Sequence, residues 1–517
     1  MKNILIILYI ITGLGFSASA STQSPGTFDP AFANSGELAD SAIFPYRYSG
    51  LALSPGGEFV ISSANGDTIQ AIRYTSAGNR DINFGTGSSG LVHIVTPGFK
   101  GTVTTSAVQT DRKILIAGQY TQTGSSKKAY IVRLNADGTI DNTFGAAGWL
   151  LFNFLPHFGE VIHQVILQPD GKILATDQGL NGGNTDTLII ARINTNGTFD
   201  NTFASNGLYQ IPLNRFLATS PNIITLDANN NILFAGYSNY NAGDYLYSFR
   251  LTTTGALDQT YGNNGTLMID STNIINGGAN LGLNFQSDGK LITVQTKQTG
   301  SILWALCRYN TDGSVDQSFG NNGLVNVQPN LSPVPYYVTA ITETSKKSIV
   351  IAGVVSIAGA LRTIVCSFNA DGSTDLGFGN NAGSELLNCF ELDDYVYNLI
   401  LQPDDKILVN GLVNEDGYKQ YNVVRLLAAE PVAVKQLSND ISFSVSPNPA
   451  GNEVHVNLPA TATGTLTITD LTGKLLNVQH ANGGSLTTIN IADLSSGIYF
   501  VTYQDNDNKV SKKIVKQ

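Results

Sequence analysis

Methionine occurs only twice in the 517 residues, and Asp, Glu, Lys and Arg together make up 13%, about half the usual ~25%. Long solvent-facing helices draw on Lys, Glu and Met, so a helical architecture is excluded as the main theme. Three cysteines cannot form a dense disulfide scaffold. Five histidines leave little for a clustered metal or proton-transfer site. A basic excess is lacking too: the net charge is −10, which argues against a general nucleic-acid binder. Beyond the first twenty residues no apolar run approaches the ~20 needed to span a bilayer. What is abundant is glycine, 53 residues, with 42% hydrophobic residues, enough for a packed core.

The amino end reads as a secretory signal peptide over residues 1–20. Lys2 supplies a positive start, Ile4 to Phe16 an apolar stretch, and Ala18-Ser19-Ala20 a small-residue cleavage pattern. The apolar stretch is too short to span, so the mature chain is expected to have no membrane span.

The composition changes after Ala428. Residues 429–440 carry no clear period and read as a linker. From 441 onward the chain alternates apolar and polar residues, as half-buried strands do, at Val454–Leu458, Gly464–Thr469 and Ile498–Tyr503. Asp470-Leu-Thr-Gly473-Lys474 marks a tight turn between two such runs. A β-sandwich of 441–517 is expected. The S-P-N-P start (Ser446, Pro447, Asn448, Pro449), the D-L-T-G-K turn with Gly473 and Lys474, the L-S-S-G-I-Y-F-V run with Gly497, and the basic end with Lys512 and Lys513 form a specific set. By that set, 441–517 resembles the type A sorting domain of type IX secretion. The resemblance implies a Bacteroidota source and entry to the periplasm by the signal peptide. It also implies passage to the outer-membrane surface or beyond, with the type IX machinery as partner.

Between the ends the chain repeats itself. The string G-x-h-D-x-x-F occurs seven times, around Asp29, Asp81, Asp141, Asp200, Asp258, Asp316 and Asp375, at spacings of 52, 60, 59, 58, 58 and 59. Such a period means a repeat architecture. A second turn string is cleanest at Gln168-Pro-Asp-Gly-Lys172 and Gln402-Pro-Asp-Asp-Lys406. A third element ends in Arg followed by an apolar residue, at Arg73, Arg133, Arg192, Arg250, Arg308 and Arg425, with Ser367 as the departure.

Each repeat reads as four strands, in one case roughly 161–168, 172–177, 187–194 and 207–213. Four-stranded units of this length describe propeller blades. The fold expected for 21–428 is therefore all-β, a seven-bladed β-propeller of four-stranded blades. The strand near Glu37–Ser41 would close it by completing the last blade and removing exposed edges. The R-L-N-A-D-G-T-I-D-N-T-F-G-x-x-G form at Arg133–Gly148, with Q-P-D-G-K, is similar to the delta-60 repeat family. That family has no single assigned activity, so the resemblance adds architecture and little chemistry.

Seven repeated carboxylates suit a turn better than a catalyst, since chemistry needs its residue once. Asp accepts backbone N–H bonds in turns. The aromatic three residues on is expected to fill the space between neighbouring blades, and the Arg to pair with the turn Asp of its own or an adjacent blade. Because regular turns fall on one face of a meander, the variable connections fall on the other, where function more often lives. Low-specificity ligand candidates there are Tyr240, Tyr245, Tyr336, Tyr337, Tyr395 and His157, rings and polar edges suited to a glycan or peptide. His157 and His163 lack a third ligand, so no metal is expected, and no cofactor. Cys366 and Cys389 could face each other on adjacent strands, although a disulfide is not expected.

No H-E-x-x-H, Walker loop or, in the mature chain, G-x-S-x-G occurs. Catalytic residues are unknown. The favoured function is a secreted or cell-surface binding module with a surface glycan or protein as its ligand. An extracellular hydrolase or lyase, and a structural or adhesion component, are the alternatives.

Overall fold

The computed structural model describes residues 24–427 and 443–517 apart from 41, 43–49, 86, 88, 122–126, 153–158, 180–184, 215–221, 241–242, 271–280, 300, 328–333, 358, 388–392, 416–417, 460–462, 471–473, 483–485 and 505–508. The expected signal peptide and linker lie outside the described residues. These divide into two compact units, one within 23–429 and one within 430–517. Among the described residues there is no helix, and therefore none long and apolar enough to cross a membrane.

The larger unit is a series of antiparallel four-stranded sheets, each read here in chain order. Among the described residues there are seven. The first runs from Gly50–Leu53 to Leu91–Val95, the second from Lys100–Val108 to Trp149–Leu151, and the third from Glu160–Leu167 to Leu208–Asn214. The fourth spans Asn222–Leu226 to Thr266–Asp270, the fifth Leu281–Phe285 to Leu324–Val327, and the sixth Val334–Glu343 to Ser384–Leu387. The seventh takes Asp393–Leu401, Ile407–Glu415 and Tyr418–Leu426 from the end of the unit. Its fourth strand is Glu37–Ala39, where Glu37 pairs with Val424 and Ala39 with Asn422. In the third sheet the strands fall within two residues of the sequence reading.

Neighbouring sheets share buried apolar clusters. Ile131 and Leu115 of the second sheet share a buried cluster with Ile162, Val165 and Ile173 of the third. The aromatic of each D-x-x-F turn is wholly or almost wholly buried in such a layer, as Phe84, Phe144, Phe203 and Phe319 are. It meets the next repeat's turn glycine. A Cβ on Gly197 would lie 2.5 Å from Gly145 N and 3.0 Å from the Phe144 ring, and one on Gly255 2.6 Å from the Phe203 ring. With φ of +85° and +84° as well, these two positions need glycine twice over. The same contact joins Gly26, near the amino end, to Phe378 of the sixth sheet, and Gly78 of the first sheet to Phe32.

The smaller unit packs a three-stranded sheet (Ser444–Ser446, Glu453–Asn457, Leu486–Asn490) with a four-stranded one built on Thr463–Thr469 and Gly497–Gln504. Val454, Val456, Leu466, Ile468, Val501 and Ile514 form its core, the inward half of each alternating run.

Candidate functional site

The repeated Asp and Arg meet in six of the seven sheets. In the second sheet the Arg133 Nε donates to Asp141 Oδ2 at 2.8 Å, and the guanidinium lies 4.5 Å above the Phe144 ring. Lys113 Nζ approaches the same carboxylate oxygen at 3.1 Å. The other carboxylate oxygen accepts from the Thr143 amide and hydroxyl at 3.0 and 2.6 Å, closing the turn. Arg133 Nη1 then reaches across to donate to the Thr195 carbonyl in the third sheet. Arg192 with Asp200 and Lys172, Arg308 with Asp316 and Lys290, and Arg425 with Asp29 and Lys406 repeat the arrangement.

Burial works to raise the Asp141, Asp200 and Asp316 carboxyls. The threonine or serine hydroxyl and amide bonds, the lysine and the arginine charge overcome it and hold all three well below the usual carboxylate range. They are fully ionised and fully engaged at neutral pH. In the sixth sheet Ser367 replaces the arginine, and its hydroxyl donates to Asp375 at 3.0 Å. The repeated charges therefore fasten one sheet to the next, by a guanidinium that bonds its own turn, caps its own aromatic and grips a neighbour's backbone.

A second fastening uses the backbone. The residue after the turn aromatic donates its N–H to the neighbouring turn, as Gly85 to Asp137, Gly145 to Asn196, Ala204 to Thr254 and Gly320 to Asp371 do. Ala33 to Ala77 and Gly379 to Pro25 are the same bond.

The ligand candidates of the variable connections lie on the strands that border those connections rather than in loops. Tyr240 ends the strand Ile232–Tyr240 and pairs with Gly243, and Tyr245 lies in Gly243–Leu251. Tyr336 and Tyr337 lie within Val334–Glu343, and Tyr395 within Asp393–Leu401. Tyrosine favours extended strands. Tyr337 and Tyr395 are half-buried. His157 lies outside the described residues, and so does Cys389. Cys366 is a buried free thiol, pushed up to about 12 by that burial. Among the described residues no three His, Cys, Asp or Glu side chains come together to hold a metal.

In the smaller unit the quoted motif residues converge. Asn448 donates its Nδ2 to the Lys513 carbonyl at 2.9 Å and accepts from the Val515 N–H at 2.8 Å, tying the S-P-N-P start to the basic end. Pro447, Pro449, Lys474, Lys512 and Lys513 are exposed. Asp470 Oδ1 accepts from the Lys474 N–H at 3.0 Å, and the Tyr499 hydroxyl donates to the Ser495 carbonyl beside Gly497 at 2.8 Å. Gly473 lies outside the described residues.

The model of the secretion system C-terminal sorting domain matches residues 444–517. The model described as a domain of unknown function (DUF5122) beta-propeller matches 109–144, 168–203, 286–319 and 347–378. The chain is a β-propeller protein with a type IX sorting tail. Such a tail marks a protein for secretion to the cell surface or beyond. The four propeller matches each run from the Lys-bearing turn, or its equivalent, through the D-x-x-F turn, the segment that builds the fastening described above.

No curated protein matches the chain. Among solved structures, a PQQ-bound aldose sugar dehydrogenase from Streptomyces coelicolor is similar at 12% identity over 75% of this chain and 98% of that one, with a TM-score of 0.36. The polysaccharide lyase Uly1 is similar at 10% identity over 79% and 98%, with a TM-score of 0.43. Drosophila Plexin A in complex with Semaphorin 1b is similar at 9% over 79% and 88%, with a TM-score of 0.37. Likenesses this distant bear on neither ligand nor reaction.

Proposed function

We propose that the protein is a secreted or surface-displayed binding module whose seven sheets are the blades of a closed ring. The observation that carries the binding reading is the use made of the repeated charges. Arg and Asp are engaged with each other in six sheets, which leaves the repeat as scaffold and recognition to its irregular parts. Closure is supported by the Glu37–Ala39 pairing and by the contacts of Gly26 with Phe378 and of Phe32 with Gly78. In this reading residues 1–20 are the signal peptide, 21–428 the propeller of delta-60 type, 429–440 the linker and 441–517 the tail. The source is of Bacteroidota type, and the ligand is a surface glycan or protein.

The test is a glycan array and polysaccharide pull-down with the mature full chain, with and without calcium. Selective binding that is lost in Tyr336→Ala or Tyr240→Ala supports recognition at the variable connections. Depolymerised substrate in the same samples would move the assignment to a hydrolase or lyase. Self-association with no ligand bound would move it to a structural component.

A further inference from the structure

The fastening fails at one junction, and a cavity lies there. Between the fourth and fifth sheets the bond equivalent to Arg133 Nη1 to Thr195 would run from Arg250 to Thr311, and the backbone bond from Gly262 to Asp312. Neither is made. Among the described residues, this is the one junction of the seven that lacks both bonds.

The sequence changes at the same place. Asn231 stands where Lys113, Lys172, Lys290 and Lys406 approach their turn carboxylates, and Asp227 stands where four other repeats have Gln. Asp227 is held by its own turn, accepting from the Asn229 and Asn231 amides and from Asn231 Nδ2. Arg250 keeps its bond to Asp258 at 2.8 Å but is 23% exposed at the side chain, against 4–9% for the arginines of the other five such pairs. The space left is a cavity of about 430 Å³ lined by Asp227, Arg250, Tyr261, Gln286, Thr311 and Glu343, among others. That is within the ~300–1,000 Å³ range of small-molecule sites.

A donor on its wall has a bond to spare. Arg250 Nε and Nη2 are taken by Asp258 and Thr260. Its Nη1, which in the other five arginines grips a carbonyl of the neighbouring sheet, donates no hydrogen bond among the described residues. A ligand oxygen can take the place of that missing carbonyl.

We infer that the cavity between the fourth and fifth sheets is a binding site for a small, neutral, polyhydroxylated molecule of monosaccharide size. The charges select against ions. Asp227 lies 4.0 Å from Arg250 Nη1, so an anion drawn to the guanidinium meets a carboxylate, and a cation drawn to Asp227 or Glu343 meets the guanidinium. Neighbouring hydroxyls suit such a lining, because each can accept from Arg250 and donate to Asp227 or Glu343. The site lies at the regular turns, so it is independent of recognition at the variable connections.

Calorimetric titration of the mature full chain tests this, with glucose, galactose, mannose and xylose as neutral probes. Glucuronate, glucosamine and inorganic phosphate are the charged ones. At least one neutral sugar is expected to bind saturably, and the charged probes are not. Asn231→Lys places a lysine where four other repeats hold one and is expected to abolish binding while the chain unfolds as wild type. Arg250→Met removes the unused donor and is expected to weaken binding about tenfold. Tyr336→Ala is expected to leave it unchanged, which separates this site from the variable connections. No saturable neutral sugar, unaltered binding in both Asn231→Lys and Arg250→Met, or preference for a charged probe would overturn the assignment.

Discussion

Replacing Arg133 by methionine should destabilise the propeller far more than replacing Arg250, although both arginines pair with the Asp of the same motif. Arg133 and Asp141 are each 4% exposed at the side chain, and Arg133 also grips the Thr195 carbonyl and caps Phe144. Breaking one partner from a buried pair costs about 3–5 kcal/mol. Lys113 and Thr143 still satisfy Asp141, so the lower end applies, about 3 kcal/mol. Arg250 is 23% exposed, with no carbonyl across the junction and its ring 5.3 Å away. A pair so placed contributes about 1 kcal/mol at most. The difference of about 2 kcal/mol, at an m-value of ~2 kcal/mol/M, separates the urea midpoints by about 1 M. Trp149 and Trp304, both buried and both in the larger unit, report unfolding by emission. Equal midpoints for the two variants would refute the claim that the cross-sheet grip, rather than the Arg–Asp pair alone, supplies the stability.

Three further outcomes are expected. Gly197→Ala, whose Cβ would press on backbone at φ +85°, should cost about 3 kcal/mol, against about 1 for Gly66→Ala, where φ is +63° and nothing lies within 4 Å; paired urea titrations check this. Asp141, Asp200 and Asp316 are held below the ordinary ~3.9. Their stabilisation is therefore complete above about pH 4 and is lost as pH falls through the lower folded values. Melting temperatures taken from pH 7 down to pH 2 should fall less steeply in Asp200→Asn than in wild type, and parallel curves would refute the assignment. Deleting residues 444–517 should keep the protein inside the outer membrane of its host, as read by fractionation, and appearance in the medium would show that export does not need the tail.

The repeat was legible because its chemistry is local. Gly-x-h-Asp turns fix φ and hydrogen bonds within seven residues, and alternation fixes the strands between them. That the arginine pairs with a turn Asp was legible too, although whether of its own or an adjacent repeat was not. Its second bond, to the next sheet, was not, because no spacing along one repeat reports what the adjacent repeat presents. That Tyr240 and Tyr336 lie on strands was not legible for a related reason. A stretch rich in Asn, Gly and Tyr reads as loop, yet pairing across a hairpin carries the strands through it. The break at the fourth repeat was visible as Asn231 for Lys and Asp227 for Gln. Its meaning required the unmade bonds at that junction.

Asp29 and Arg425 are 396 residues apart in the chain, and Lys406 joins them. Apart from the bonds of Gly379 to Pro25 and of Arg425 to Ser76, the other fastenings form within about one repeat, so they can assemble as the chain emerges. The sheet that unites Glu37–Ala39 with Tyr418–Leu426 must wait for nearly all of the propeller. Its contacts have the highest sequence separation in the unit, and closing so long a segment is slow. Until then the first sheet keeps an uncovered flank, and the buried faces of Phe32 and Phe59 stay open to water or to other chains. The tail follows within twenty residues of Leu426. The order of synthesis therefore brings the sorting tail out just after the last strand of the propeller, so that the two ends of the propeller can meet before the export signal is complete.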